Sequence, residues 1–316
     1  MKAFTLSLVL TFFSLHSFFS QTLVGSIKDK NEKGVPYVNI GIPAKAFGII
    51  SDDEGNFTFK MTNEKELDTI QVSCIGFQTI YLSFAAFKMH CDTKVPIHLT
   101  EVVYTLATTT VRPNEFEVKV LGSKNVAALD CITMEKFTSS DTAAKRIAKE
   151  KGLSDKAIGI ELGNKISINK GHQTFIDKIE FKTCVKPNDT AIYRVNIYVE
   201  GKTLKRMVTP IGVVKMVNTE NVLREGIIVK AIGKTEVHSI DVSKQNIEVY
   251  DDFIVALECI YSSDTTMNIG AAASLFGSTD LLFRASVMSE WVKVPLVNMT
   301  FIGATVTYNK KKYKKK

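Results

Sequence analysis

The chain has 316 residues, of which 45% are hydrophobic, and a formal net charge of +7. That is ordinary globular composition, sufficient for one large or two medium cores. Lys2 and the six lysines among residues 310–316 supply the whole charge excess. Residues 21–309 therefore balance to zero, and no basic stripe with interleaved aromatics argues for nucleic acid.

Met1-Lys2 precedes an apolar run from Ala3 to Phe13 and then Ser-rich sequence to Ser20. One positive charge before a short hydrophobic core is the layout of a secretory signal peptide, with cleavage expected before Gln21. Ser14, His16 and Ser17 interrupt the stretch before it reaches the roughly 20 apolar residues of a membrane span. No cysteine follows it as a lipid-anchor site, and no later stretch is apolar enough to span. The mature protein is expected to be soluble or peripheral, in the periplasm or at the cell surface, with association to the outer membrane among the alternatives.

From Thr22 to about Val111 the chain reads as short strands separated by turn residues: 23–29, 37–42, 48–51, 56–60, 68–74, 78–82 and 95–99. Alternation of period two with turn signals every 8–12 residues predicts a β-sandwich, and no helical period of useful length shows in this region. The acidic stretch Ser51-Asp52-Asp53-Glu54-Gly55-Asn56 raises a calcium-loop reading. With Gly55 at position six of an EF-hand, position one would be Ile50 and position twelve Met61, neither a ligand of the required kind. Gly55 is better read as the positive-φ residue of a hairpin turn.

Residues 113–117, beginning at Pro113, read as a linker, 118–308 as a second domain, and 309–316 as a basic tail. Within the second domain Ser139, Ser140 and Asp141 offer caps for one helix over 143–151, stopped by Gly152. Strands follow at 165–169, 175–182, 192–199, 227–231, 246–249, 253–260, 282–286 and 301–308. This predicts an antiparallel, jelly-roll-like sandwich. The tail Lys310–Lys316 offers peripheral contact with an anionic membrane surface, against the alternative of a solvated terminus. Five cysteines, widely spaced and without a CxxC pair, match neither a zinc site nor a dense disulfide framework. Cys74 and Cys259 alternate with core positions and read as small hydrophobes, and a Cys74–Cys91 bridge after export stays open.

Gly25-Ser26-Ile27-Lys28-Asp29, Gly34-Val35-Pro36-Tyr37-Val38-Asn39-Ile40, Gly48 to Phe57 and Cys74 to Thr79 together resemble the carboxypeptidase-regulatory-like domain. The resemblance covers residues 21–112 and implies a transthyretin-like, seven-stranded sandwich of a kind common in exported proteins of Bacteroidota. Tyr193 to Tyr198 and Asp252 to Glu258 resemble an uncharacterised C-terminal sandwich that accompanies such domains, for which the resemblance implies no activity. The expected fold class is thus mainly β, with two successive sandwiches.

Little in the chain signals catalysis. His98-Leu99-Thr100-Glu101 spells H-x-x-E, but it lies on the last strand of the first sandwich. Only His172 and His238 follow it, neither in a ligand context. Glu258 and Asp252 form a candidate acid pair, with a paired or strand-end role as the plainer reading. Gly270 to Gly277 lacks the ending of a phosphate cradle. Trp291, the only tryptophan, is either a sugar or peptide anchor or a core residue. Asp-Thr pairs at 68, 141, 189 and 264 resemble an O-glycan acceptor pattern. No catalytic, cofactor or metal residue is assigned. The expectation is a non-catalytic binding, adhesion or assembly module of the bacterial envelope with an unknown protein or glycan partner. The alternatives are an accessory of a TonB-dependent uptake system and a hydrolase- or peptidase-associated protein.

Overall fold

The computed structural model describes residues 22–60, 67–103, 115–122, 131–135, 158–209, 212–264, 266–270, 281–293 and 302–312. The expected signal peptide, residues 113–114 of the linker, the helix over 143–151 with its caps, the small-residue stretch 271–277, residues 313–316 of the tail, and Asp141, Thr142 and Thr265 of the Asp-Thr pairs lie outside these residues.

The first sandwich holds β1 (Thr22–Lys28), β2 (Asn39–Ile42), β3 (Phe47–Ile50), β4 (Asn56–Lys60), β5 (Thr69–Ser73), β6 (Ile80–Ser83) and β7 (Ile97–His98). They form a three-stranded sheet in the order β4-β1-β7 and a four-stranded sheet in the order β3-β2-β5-β6. Alternation explains the core between them. In β4 the side chains of Phe57 and Phe59 are buried while Asn56, Thr58 and Lys60 are exposed. They meet Leu23, Ile27, Ile40, Ile42, Ile70 and Val72 from the other strands. Each such burial contributes about 1.5–3 kcal/mol.

Two features differ from the sequence reading. A helix, α1 (Phe84–Thr93), stands between β6 and β7. Ser83 caps it by accepting a hydrogen bond from the Ala86 N–H (3.2 Å), and Phe84, Phe87 and Cys91 bury one face against the sheet. The spacing of three and four residues was present in the sequence, but the helix is so short that strand alternation on either side masked it. The second difference concerns the acidic turn. Its flanking strands are not hairpin partners, since β3 pairs with β2 and β4 pairs with β1. The turn carries the chain from one sheet to the other. Gly55 does take positive φ (82°), and a Cβ there would stand 2.4 Å from the Ile27 carbonyl oxygen. Close approach as well as backbone angle thus demands glycine.

The second sandwich contains β8 (Phe116–Gly122), β9 (Cys131–Glu135), β10 (Glu161–Ile166), β11 (His172–Cys184), β12 (Thr190–Thr209), β13 (Gly212–Asn221) and β14 (Ile227–Ile232). It continues with β15 (Thr235–Asp241), β16 (Ile247–Val249), β17 (Phe253–Ser262), β18 (Thr266–Gly270), β19 (Leu281–Arg284), β20 (Val292–Lys293) and β21 (Ile302–Lys312). One sheet runs β13-β12-β17-β10-β19-β20, with β14 also on β12. The other runs β8-β21-β11-β18-β9, with β15 and β16 also on β11. The pairings in both are antiparallel, for example β12 with β17 and β11 with β21. Strand β21 runs on to Lys312, so the first lysines of the basic end are strand residues, with Lys310 and Lys311 paired to Glu117 and Glu115.

The core of this sandwich takes Tyr193, Val195 and Ile197 from β12 and Phe253, Val255, Leu257 and Cys259 from β17, against Ile176, Ile179, Phe181 and Val306 of the facing sheet. A disulfide joins Cys131 to Cys184, while Cys74, Cys91 and Cys259 are free thiols. No bridge therefore joins Cys74 to Cys91. The residues that did pair are 53 apart in sequence, and only the sheet order β11-β18-β9 brings them together.

Candidate functional site: a charged seam between the sandwiches

The same alternation that fills the core of the second sandwich points a polar set out of its other face. Arg194, Asn196 and Tyr198 leave β12 opposite to Tyr193, Val195 and Ile197. Register then aligns four charges in one row across four strands. Arg194 of β12 stands opposite Glu258 of β17, Glu258 opposite Glu161 of β10, and Glu161 opposite Arg284 of β19. The order is plus, minus, minus, plus.

All four side chains are buried: Glu161 and Glu258 fully, Arg194 and Arg284 at 4% and 5% exposure. Arg194 Nη1 lies 3.1 Å from Glu258 Oε2, and Arg284 contacts Glu161. Asn196 Nδ2 bridges the carboxylates at 2.5 Å from Glu161 and 3.3 Å from Glu258. The Tyr198 hydroxyl donates to Glu161 (2.9 Å) and accepts from Arg284 (2.7 Å). Burial raises the Glu258 pKa; Arg194 opposes that shift and the Glu161 carboxylate adds to it. Burial works most strongly against the charge of Arg284, but Glu161, Tyr198 and Glu258 together outweigh it and raise the pKa. Burial holds Tyr198 well above the usual phenol range.

The first sandwich supplies the cover. The hydrogen-bonding pattern orients the Asn39 amide to donate to Glu258 (3.0 Å) and accept from Arg194 (2.7 Å). Arg194 also donates to the Tyr37 carbonyl, and Ser289 Oγ donates to the Ala46 carbonyl (3.0 Å). Tyr37 and Ala46 both hold left-handed backbone, with φ of 55° and 52°. Such a conformation costs a non-glycine residue about 1–2 kcal/mol, and here it accompanies a carbonyl aimed at the other sandwich. Between these polar contacts, Met288 enters a depression made by Gly41 and Gly48, which are paired across β2 and β3. A Cβ would stand 2.7 Å from Met288 Cγ at Gly41 and 3.0 Å at Gly48.

Trp291 closes the far end of the seam. The Arg284 guanidinium lies 4.3 Å from its ring centre, and Tyr198 meets it edge-on at 5.8 Å. The ring is 4% exposed, so the core alternative describes it better than an exposed anchor. Its indole N–H has no hydrogen-bond partner among the described residues.

The other candidates are dispersed. His98 pairs with Glu32 (2.8 Å), Glu101 with Lys30 (3.4 Å), His172 with the Asn309 carbonyl (2.8 Å), and His238 with Thr183 (2.8 Å). Burial lowers the His238 pKa. Among the described residues no group of three or more His, Cys, Asp or Glu could hold a metal ion. Asp252 accepts from the Ile168 N–H (3.1 Å) and faces Lys165 (3.6 Å), so the carboxylate that Glu258 meets is Glu161 instead. In the acidic turn, Asp52 accepts from the N–H groups of Glu54 (3.0 Å) and Asn56 (2.7 Å), the Asx pattern that shapes a turn. Asp68 pairs with Lys45 (2.6 Å), Asp189 accepts from Ser263 (2.8 Å), and Asp264 pairs with Lys186 (2.6 Å). A groove of about 410 Å³ runs along β1 past Cys91, whose thiol burial pushes up to about 11. Arg194, Glu161, Arg284 and Met288 were not singled out from sequence. For Arg194 the available signal was a charge at an alternate position inside an apolar strand; Glu161 opens β10, Arg284 closes β19 and Met288 lies outside the strands, so none of these three carried it.

Residues 23–111 match the family model described as the CarboxypepD_reg-like domain. No curated protein matches the chain. Among solved structures, one titled "Structure of infectious bursal disease virus Gx strain" aligns at 10% identity over 92% of this chain and 60% of that one, with a TM-score of 0.21. Another, titled "Structural basis for the promiscuous specificity of the carbohydrate-binding modules from the beta-sandwich super family", aligns at 9% identity over 83% of this chain and 86% of that one, with a TM-score of 0.13. Neither superposition is close enough to define a shared fold.

Proposed function

We propose that the chain is an exported, non-catalytic binding or assembly module of the bacterial envelope in which two sandwiches act as one rigid unit. The observation that carries this reading is the seam. Its four buried charges are committed to one another and to Tyr37 and Asn39 of the covering sandwich. The constellation is sealed from solvent and ties the two bodies together. The CarboxypepD_reg-like match and the sequence of residues 1–20 support export. The Cys131–Cys184 bridge supports it too, because disulfides persist in oxidising compartments.

The test is fractionation of cells that make the full chain, with mass spectrometry and a non-reducing gel on each fraction. The expected result is a processed chain in the envelope fraction with the bridge formed, joined to a larger partner by brief crosslinking. A reduced, unprocessed chain confined to the cytosol would overturn the export reading. Turnover of peptide or glycan substrates by the purified chain would overturn the non-catalytic one.

A further inference from the structure

Strand β14 pairs with β12 on one side, and among the described residues no strand pairs with its other side. An edge of this kind presents N–H and C=O groups at strand spacing, a template for one more strand. Its outward side chains are Ile228 (45% exposed), Lys230 and Ile232 (55% exposed). Lys230 has no ion-pair partner among the described residues. Register places Ile192 of β12 beside Lys230, and Tyr261 of β17 (42% exposed) beside Ile192. The result is an apolar–cation–apolar stripe on an open edge, with an aromatic two strands inboard.

The stripe continues the seam. Ile228 stands opposite Arg194 in the row of buried charges. The loop just before β14 meets the first sandwich, with the Arg224 carbonyl oxygen 3.7 Å from where a Gly76 Cβ would lie. The open edge therefore starts where the cover of the first sandwich ends.

We propose that the β14 edge receives an extended segment of a partner protein as an added antiparallel strand. The segment carries an acidic residue opposite Lys230 and apolar residues two positions to either side, opposite Ile228 and Ile232. The inference rests on the reading of the chain as a binding module and names the chemistry of its partner. A second copy of the chain fits less well. Antiparallel pairing of two β14 strands centred on Lys230 brings the isoleucines together but sets two lysines face to face. Centring on Val229 or Ala231 sets lysine against isoleucine. Like charges directly opposite destabilise a sheet pair, and a lone lysine on an edge acts against self-pairing.

The probe is a capped, fluorescently labelled heptapeptide of threonines with valine at its second and sixth positions and glutamate at its fourth. A control peptide has lysine at the fourth. Anisotropy titration of the full-length protein is expected to show the glutamate peptide binding about fivefold tighter than the lysine peptide. Lys230→Glu should reverse the order, and Lys230→Gln should abolish the preference. Both substitutions are at an exposed position, so both variants should fold. Equal binding of the two peptides, or no binding at millimolar concentration, overturns the proposal. So does dimerisation of the free protein that Ile228→Asp abolishes. Because the measurement uses purified protein, its failure removes the docking edge and leaves export to be judged by fractionation.

Discussion

Replacing Arg194 with methionine keeps most of the side-chain volume and removes one charge from the seam. Glu258 is then a fully buried carboxylate facing Glu161, with Asn196 at 3.3 Å and Asn39 at 3.0 Å as its remaining donors. Breaking a buried pair from one side costs about 3–5 kcal/mol. The loss of the Arg194 bond to the Tyr37 carbonyl falls within that figure, since a hydrogen bond to a charged group contributes about 1.5–3 kcal/mol. The effect should depend on pH. The folded pKa of Glu258 is already raised above its ordinary 4.5. Its contribution to stability is thus fully present below about pH 4.5 and is lost as pH rises through the folded value. Without Arg194 the folded value rises further, so the deficit should be small near pH 4.5 and largest at neutral pH. Urea denaturation followed by fluorescence of Trp291, the sole tryptophan, reads the seam directly. Adding Glu258→Leu should recover most of the loss. A deficit under about 1 kcal/mol at pH 7, or one that does not change with pH, would refute the reasoning.

Gly48→Ala probes the apolar part of the seam, because the nearest atom to its new Cβ is Met288 Cγ at 3.0 Å. Alone it should destabilise by about 1 kcal/mol, and in a Met288→Ala background by close to nothing; additivity within about 0.3 kcal/mol in urea melts would contradict the packing described. Reducing the Cys131–Cys184 bridge, which closes a loop with a separation of 53, should cost about 4 kcal/mol on the loop-closure estimate. A melting temperature unmoved by reductant would dispose of that expectation. Gly55→Ala and Gly55→Asn should both destabilise by about 2 kcal/mol or more, since each adds a Cβ 2.4 Å from the Ile27 carbonyl oxygen. If asparagine, which tolerates left-handed backbone, restored stability, φ alone would be the constraint and the close approach would be irrelevant.

The sequence by itself determined part of the local structure of both sandwiches. Alternation in Asn56–Lys60 is decisive because a strand has period two and one face must be apolar, whereas Phe253–Ser262 is buried on both faces and reads as a strand from its near-continuous apolar run. The turn chemistry of Asp52 and Gly55 is likewise local, since the aspartate carboxylate reaches N–H groups only two and four residues on. Strands β8, β9, β13, β15, β18 and β20 escaped notice, β15 because Thr-Glu-Val-His-Ser-Ile-Asp alternates exposed with half-buried residues and presents no strong apolar face. Tertiary structure alone decided the rest. The acidic turn joins two sheets because β3 and β4 find different partners, a choice made by distant strands. Cys131 meets Cys184 only once β18 lies between β9 and β11. The seam exists because register, a property of neighbouring strands, sets Arg194, Glu258, Glu161 and Arg284 in one row and the first sandwich closes over it. A charge inside an apolar strand tells only that it needs a partner; which partner depends on sheet order, and sheet order depends on contacts between residues far apart in the chain, such as Glu161 with Arg284.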